Sequence, residues 1–158
     1  MKYLIGFSLM VLAFAGCTSR HELVAEQNKV TRPNVISVSA DWISDKGKKY
    51  DLGFNVHNEH NKGIIILLKE FRCFKGKTEG VVKHAFFNAG ERTIDFRQGQ
   101  MKQFKLVCTA KGEPGGEFKI IISKVYENPN DDGKTTGKVL AQNIEWKAAF
   151  AKDKEEEE

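Results

Sequence analysis

The stretch Ile36-Ser37-Val38-Ser39-Ala40-Asp41-Trp42 alternates apolar and polar side chains, and Tyr50-Asp51-Leu52-Gly53-Phe54-Asn55-Val56-His57 repeats the pattern. Successive side chains of a β-strand point to opposite faces of the sheet. This period of two therefore predicts two strands, each buried on one face only. The side chains expected to face the core of the first strand are Ile36, Val38, Ala40 and Trp42. Asp45-Lys46-Gly47 predicts a turn between the strands.

The rest of the chain continues in short strands separated by turn signals. The apolar run 64–73 predicts a strand that is covered on both sides for part of its length. Further strands are predicted at 81–87, 93–96, 104–108, 118–126 and 139–147. With no long helical pattern, the chain is predicted to be an all-β protein, an antiparallel β-sandwich of about 7–8 strands. A lipocalin-like closed barrel is the alternative, and it would favour strands of more nearly equal length.

The first seventeen residues have the composition of an export signal. Lys2 supplies a positive charge, residues 3–14 are an apolar run, and small residues follow, as in a secretory signal peptide. Phe14-Ala15-Gly16-Cys17 also resembles the lipobox of bacterial lipoproteins, although that family usually carries leucine where Phe14 stands. The resemblance implies that residues 1–16 are removed and that Cys17 becomes the lipid-bearing first residue.

Two alternatives to lipidation follow from the same residues. Ala13-Phe14-Ala15 is an A-x-A cleavage pattern, which leaves plain secretion open. A transmembrane helix needs about 20 apolar residues, and this run is shorter. We favour lipidation because a lone exposed thiol at the start of an exported protein would be unusual. Acyl chains on Cys17 would hold the protein on a membrane. Thr18, where an aspartate favours inner-membrane retention in that family, implies the outer membrane and the periplasm.

Composition divides the remaining chain into three parts. Residues 17–33 are predicted to be the lipidated cysteine and a polar tether, in which Ser19 and Glu22 fit a capping box and predict a helical turn or two. Residues 34–150 are predicted to form the sandwich domain. Residues 151–158 are an acidic block that predicts a disordered tail. Without residues 1–16 and 152–158 the chain has 22 basic and 16 acidic residues, a net charge of +6. This charge could favour anionic headgroups or an acidic polymer, ordinary solubility being the simpler interpretation.

Two cysteines remain once Cys17 is assigned to lipid. Cys73 and Cys108 both lie in predicted strands, each two residues after an apolar residue of the same face. In an oxidising compartment such a pair predicts a disulfide bond. The bond would stabilise the fold by about 3–4 kcal/mol on the chain-entropy model. Two buried free thiols are the alternative.

The sandwich prediction also carries a family resemblance. Phe54-Asn55-Val56-His57-Asn58, the glycine before residues 101–104 and the closing strand 139–146 resemble the small immunoglobulin-like domains of many bacterial lipoproteins. These include domains of unknown function related to the water-stress and telokin-like families. The resemblance covers about residues 34–147 and implies an immunoglobulin-like sandwich without implying one function. The antibody-type spacing is absent, because no tryptophan lies between Cys73 and Cys108.

Two polar groupings contain residue types that can bind metal ions. His57 and His60 enclose Glu59, but a strand end and turn without a third nearby ligand favour a solvated turn over zinc. Asn128, Asn130, Asp132 and Gly133 match the first positions of a calcium loop, but the twelfth position is Val139 instead of glutamate. We therefore expect no metal and no cofactor.

The function that these features predict is non-catalytic. The sequence contains no Gly-x-Ser-x-Gly elbow and no Gly-rich phosphate loop, so no catalytic residue is assigned and no enzyme is expected. Adjacent aromatics indicate a contact surface at Phe74, Phe86 and Phe87.

We therefore predict a membrane-anchored, exported lipoprotein that acts as a binding or scaffold module. Its partner would be an envelope protein or polymer, not a nucleic acid. The alternative is a carrier or sensor of an apolar small molecule. An envelope hydrolase assembled from His57, His60 and the Asp131-Asp132 loop is a third candidate.

Overall fold

A computed structural model describes residues 20–21, 29–46, 48–84, 93–111 and 117–148. These residues form eleven β-strands and a single turn of 3-10 helix, Leu68–Glu70. In chain order the strands are β1 Arg20–His21, β2 Lys29–Arg32, β3 Ile36–Asp45, β4 Lys49–Asn58, β5 Ile64–Leu67, β6 Phe71–Lys75, β7 Thr78–His84, β8 Thr93–Phe96, β9 Met101–Thr109, β10 Phe118–Glu127 and β11 Val139–Ala148. Every pair of neighbouring strands is antiparallel, which confirms the predicted all-β class.

The first layer, called sheet A here, is built on β3, β4 and β9. β4 lies between β3 and β9, with Phe54 opposite Ala40 on one side and Phe104 on the other. β1 and β2 pair with the outer edge of β3, and the second half of β7 pairs with β9. The alternation seen in the sequence places Leu52, Phe54 and Val56 in the core, where each is fully buried.

The second layer, called sheet B here, is built around β10. β11 pairs along one side of β10, while β6 and β5 pair with successive parts of its other side. β8 extends the sheet through β5, and the first half of β7 pairs with β6. β5 and β6 thus share one edge of β10 because the 3-10 turn between them shifts the chain along the sheet.

β7 belongs to both layers. Thr78 to Gly80 pair with β6 in sheet B, and Val81 to His84 pair with β9 in sheet A. Gly80 stands where the strand crosses, and a Cβ there would lie 2.7 Å from the Thr109 carbonyl oxygen. The crossing therefore requires glycine. Among the described strands, β7 alone pairs with both layers, so they form an open sandwich and not the closed barrel that was the alternative.

Aromatic side chains interlock the two layers. Phe54 of sheet A contacts Trp146 of sheet B edge to face, with ring centroids 5.7 Å apart. Phe71 and Phe104 meet in the same way at 5.9 Å. All four rings are buried, and such edge-to-face pairs stabilise beyond the area they remove from water.

A disulfide bond joins Cys73 of β6 to Cys108 of β9. It links sheet B to sheet A and confirms the predicted pairing. The cysteines are 35 residues apart, and closing a loop of that length stabilises by about 3–4 kcal/mol on the chain-entropy model.

One prediction about β3 is wrong. The register between β3 and β4 shifts at Asp41, where β3 carries one extra residue. A bulge of this kind moves the following side chains to the opposite face. Trp42 consequently lies on the outer face and partly exposed, whereas Ile43 takes the core position and is fully buried.

Three further segments differ from expectation. Arg20–His21, where Ser19 and Glu22 predict the first helical turn, is strand β1 and pairs with β3. Lys29–Arg32, expected in the tether, is strand β2 and pairs with β3. A β-turn joins the two strands, and in it the Val35 N–H donates to the Arg32 carbonyl. Pro33 and Asn34 occupy the centre of that turn, and the positive φ of Asn34 suits its third position.

The apolar run 64–73, expected as one strand, is interrupted at Leu68–Glu70. There Glu70 is buried and accepts a hydrogen bond from the Tyr126 hydroxyl at 3.2 Å. Burial and the Glu70 carboxylate raise the pKa of Tyr126.

Several predictions lie outside the described residues. They are the signal peptide with Cys17, residues 22–28 of the predicted tether and the acidic tail 151–158. Within the described ranges, no helix is long and apolar enough to cross a membrane.

Candidate functional site

The outer face of sheet A carries the most distinctive surface of the described residues. It combines an aromatic ring, amide and carboxylate side chains, and an exposed methionine. Its members come from three neighbouring strands, and they are Ser37, Ser39, Asp41 and Trp42 of β3, Gly53, Asn55 and His57 of β4, and Met101, Gln103 and Lys105 of β9. We call this set the sheet A face.

Trp42 lies over Gly53 on this face. The two residues are opposite each other in the ladder, and a Cβ at Gly53 would lie 2.8 Å from both Cδ1 and Cε2 of the indole. A side chain at position 53 would therefore displace the ring. Glycine weakens a strand interior and commonly marks the close approach of another group, which here is the indole of Trp42.

A polar row lies beside the indole. Asp41 accepts hydrogen bonds from the side-chain amides of Asn55, at 2.6 Å, and of Gln103. Asn55 and Gln103 are opposite each other across β4 and β9, and the bulge brings Asp41 to them. The amide nitrogens are thereby oriented toward the carboxylate. Within the described part of the chain, neither amide oxygen accepts a hydrogen bond.

Two shallow depressions flank the polar row. One, of about 250 Å³, is lined by Trp42, Gly53, Gln103, Phe104 and Lys105. The other, of about 290 Å³, is lined by Lys29, Ser37, Ser39, Asn55, His57 and Met101. Both open to solvent on the sheet A face. Met101 is 66% exposed there.

Asp51, whose carboxylate forms ion pairs with lysines, lies at one end of the sheet A face. Asp51 is almost fully buried, and its Oδ2 lies 3.0 Å from Lys105 Nζ and 3.1 Å from Lys46 Nζ. Burial alone would raise the pKa of Asp51, but hydrogen bonds from these two lysines outweigh it and hold the pKa below its usual value. Lys49 Nζ lies 3.7 Å from the other oxygen of Asp51, Oδ1, so the single Asp51 charge is shared among three lysines.

The outer face of sheet B is different, because its charges pair with one another. Arg72 and Glu79 form a two-point ion pair at 2.7 and 2.8 Å. Lys147 lies 3.2 Å from both Glu117 and Glu145. This face offers few groups that are not already engaged.

Phe74, a predicted contact residue, lies on the sheet B face and is partly exposed. The Arg72 guanidinium lies 5.0 Å from its ring centroid and Lys119 Nζ lies 5.4 Å away. These cations cover the ring through cation–π contacts, so Phe74 is a less accessible anchor than its sequence suggested. The other two predicted contact residues, Phe86 and Phe87, lie outside the described residues.

The two groupings weighed as metal sites have structural partners. His57 Nδ1 is 3.8 Å from Glu59, while His60 Nδ1 accepts the Lys62 N–H at 3.3 Å. Asp132 accepts from the N–H groups of Lys134 and Thr135.

The Thr135 hydroxyl and these N–H groups hold the pKa of Asp132 far below its usual range. The Asp132 carboxylate thus stabilises the conformation of the loop residues 132–135. No group of three or more His, Cys, Asp or Glu in the described ranges is placed to hold a metal ion.

Sequence alternation missed the key residue of the sheet A face. It assigned Trp42 to the core, because an unbroken period of two places residues 40 and 42 on the same face of the strand. The available signal was Gly53 inside an otherwise regular strand, since a glycine at such a position often marks a bulge or close approach.

Comparison with known proteins identifies the fold and no family. No protein-family model matches the chain, and no curated protein matches it. The crystal structure of YcdA, a putative lipoprotein of Bacillus subtilis, is similar with a TM-score of 0.54 and 11% sequence identity. The match covers 81% of this chain and 40% of YcdA, so the chain spans less than half of that protein. At this identity the likeness is one of fold alone.

Proposed function

We propose that the protein is an exported, membrane-anchored and non-catalytic binding module of the cell envelope, with the sheet A face as its contact surface. Residues 14–17 support the anchor, because they have the form of a lipobox. The Cys73–Cys108 disulfide supports export, because such bonds persist in oxidising compartments. The fold shared with YcdA, itself described as a putative lipoprotein, agrees with this location.

The observation that carries the proposal is the partly exposed indole of Trp42 held flat on Gly53. Tryptophan is enriched at contact sites and among the few residues that carry most of their binding energy. The hydrogen-bonded row of Asp41, Asn55 and Gln103 lies beside it. A ring with a few ordered polar groups is the composition of a recognition site.

The same geometry favours surface binding over the carriage of an apolar molecule. The space between the sheets is filled by the interlocking rings of Phe54, Phe71, Phe104 and Trp146. Both depressions described above open on the outside of sheet A instead. A small apolar ligand inside the sandwich would have to displace these rings.

Site-specific crosslinking in cells tests the contact surface. A photo-crosslinking amino acid at position 101, whose side chain is 66% exposed on the sheet A face, is compared with one at position 139, 40% exposed on sheet B. We expect position 101 to give a defined adduct and position 139 to give background. Equal adducts from both positions, or none from position 101, would overturn the assignment of this face.

Fractionation tests the anchor separately. We expect the wild-type protein to sediment with membranes and Cys17→Ser to appear in the soluble fraction, because acyl chains hold a protein on a bilayer. If the variant still sediments with membranes after a high-salt wash, the lipid-anchor proposal is wrong.

A further inference from the structure

The sheet A face has the parts of a saccharide site. Trp42 supplies a flat apolar ring, Asp41 a carboxylate acceptor, and Asn55 and Gln103 two amides, all within neighbouring rows of three strands. We propose that this face binds a β-1,4-linked N-acetylhexosamine chain, the glycan type of a bacterial envelope polymer. The inference rests on the proposed function and names its ligand.

Stacking supplies the first half of the recognition. One face of a β-linked pyranose ring presents axial C–H groups, which the negative face of an indole attracts. The absence of a side chain at Gly53 lets the Trp42 ring rest against the sheet, and the ring borders the 250 Å³ depression. Because the ring is already in place, stacking a sugar on it would cost little side-chain entropy.

Hydrogen bonding supplies the second half. The amide N–H groups of Asn55 and Gln103 are engaged with Asp41, which orients their carbonyl oxygens as acceptors. An acetamido N–H or a hydroxyl of the sugar would donate to these oxygens. Asp41, which is exposed, has acceptor capacity left for a further hydroxyl. Such preordered polar groups provide specificity at low cost.

The shape of the face favours a long chain, and Asp41 disfavours a phosphate group beside Trp42. Gly53 and His57 are four residues apart on β4, which is roughly 13 Å along a strand, and the second depression lies at the His57 end. A linear chain of several sugars would span both depressions. Asp41 would repel a phosphate placed beside Trp42, so a phosphate-rich polymer fits that position less well.

The two tryptophans of the chain make the test specific. Trp146 is fully buried and Trp42 is partly exposed, so a sugar on the face should shield only Trp42 from a soluble quencher. Chitotetraose, a β-1,4-linked N-acetylglucosamine tetramer, is titrated into the full-length Cys17→Ser protein while quenching by acrylamide is followed. We expect saturable protection, and cosedimentation of the protein with purified peptidoglycan.

Matched variants locate the site. Trp42→Ala and Gly53→Val should weaken binding at least about tenfold, measured by calorimetry, which is 1.4 kcal/mol. Trp42→Phe, which keeps a flat ring, should retain measurable binding. Phe74→Ala removes a partly exposed ring from the opposite face and should bind as wild type does. Urea unfolding of each variant identifies any loss of saccharide binding that is caused by misfolding.

Failure of this inference is distinguishable from failure of the proposed function. Absence of chitotetraose and peptidoglycan binding by the folded wild type, or unchanged binding by Trp42→Ala, overturns the saccharide assignment. A protein adduct from position 101 in such a case would leave the contact surface standing with a protein partner. If position 101 also gives no adduct, both proposals fail.

Discussion

A Cβ placed on Gly80 would lie 3.0 Å from Sγ of Cys108 and 2.8 Å from Cβ of Ala110. The glycine therefore sits against the disulfide at the point where β7 leaves sheet B and joins sheet A. Cys73 is its partner in the ladder on the sheet B side. The strand crossing and the disulfide between the layers thus lie at the same place. The absence of a side chain at Gly80 lets β7 approach Cys108 closely there.

Gly80→Ala is expected to destabilise the protein by about 1–3 kcal/mol, the usual cost of forcing extra atoms into a packed interior. The backbone of Thr109 must move, since its carbonyl oxygen is the atom nearest to the added Cβ. Urea unfolding measures the change. Val81→Ala, one residue along and 62% exposed, is the control and should lie within about 0.5 kcal/mol of wild type. Equal effects of the two substitutions would contradict the crowding argument.

Removal of the disulfide by Cys73→Ala with Cys108→Ala is expected to cost about 3–4 kcal/mol, because the unfolded chain regains its loop entropy. The midpoint of urea unfolding should fall accordingly. Alkylation of the denatured protein without reductant checks the pairing itself. Modification of Cys73 or Cys108 under those conditions would show that the bond is absent in the protein.

The period of two was sufficient to predict the fold class, and the two cysteines left in an exported chain were sufficient to predict the disulfide. In β4 that period places Leu52, Phe54 and Val56 inside, and all three are buried. The bulge at Asp41 was not predictable in the same way. One extra residue leaves no mark on composition, yet it exchanges the faces of Trp42 and Ile43.

The candidate site was predicted least well, and the reason is physical. Phe74 was identified as aromatic and outward, but its covering by Arg72 and Lys119 depends on residues brought together across strands. Asp41, Asn55 and Gln103 meet through pairing between residues up to 62 positions apart. Local patterns carry no information about such contacts until strand order and register are known.

Asp51 is expected to make stability depend on pH. Its folded-state pKa is lowered by Lys105 and Lys46 despite burial, so between that pKa and the unfolded value of about 3.9 the unfolded chain binds more protons. The stabilisation is fully present above the unfolded value and is lost as pH falls through the folded one. Asp51→Asn should cost about 1–2 kcal/mol at pH 7, since bonds to charged groups are lost.

The measurement is urea unfolding of wild type and Asp51→Asn at several values between pH 7 and pH 2. The difference between them should shrink toward the acid end. Glu79→Gln, which removes an ion pair on the surface of sheet B, is the control and should have a smaller effect at pH 7. A difference between wild type and Asp51→Asn that stays constant with pH would contradict the role given to this carboxylate.

The two tryptophans should be separable by quenching in the free protein. Trp146 is fully buried among aromatic rings, and Trp42 lies on an open face. Acrylamide should therefore quench only part of the emission of the wild type, and Trp42→Phe should remove the accessible part and shift the remaining spectrum to shorter wavelength. Trp146→Phe should leave the accessible part. If Trp42→Phe leaves the quenchable fraction unchanged, Trp42 does not face solvent and the bulge at Asp41 does not place it on the sheet A face.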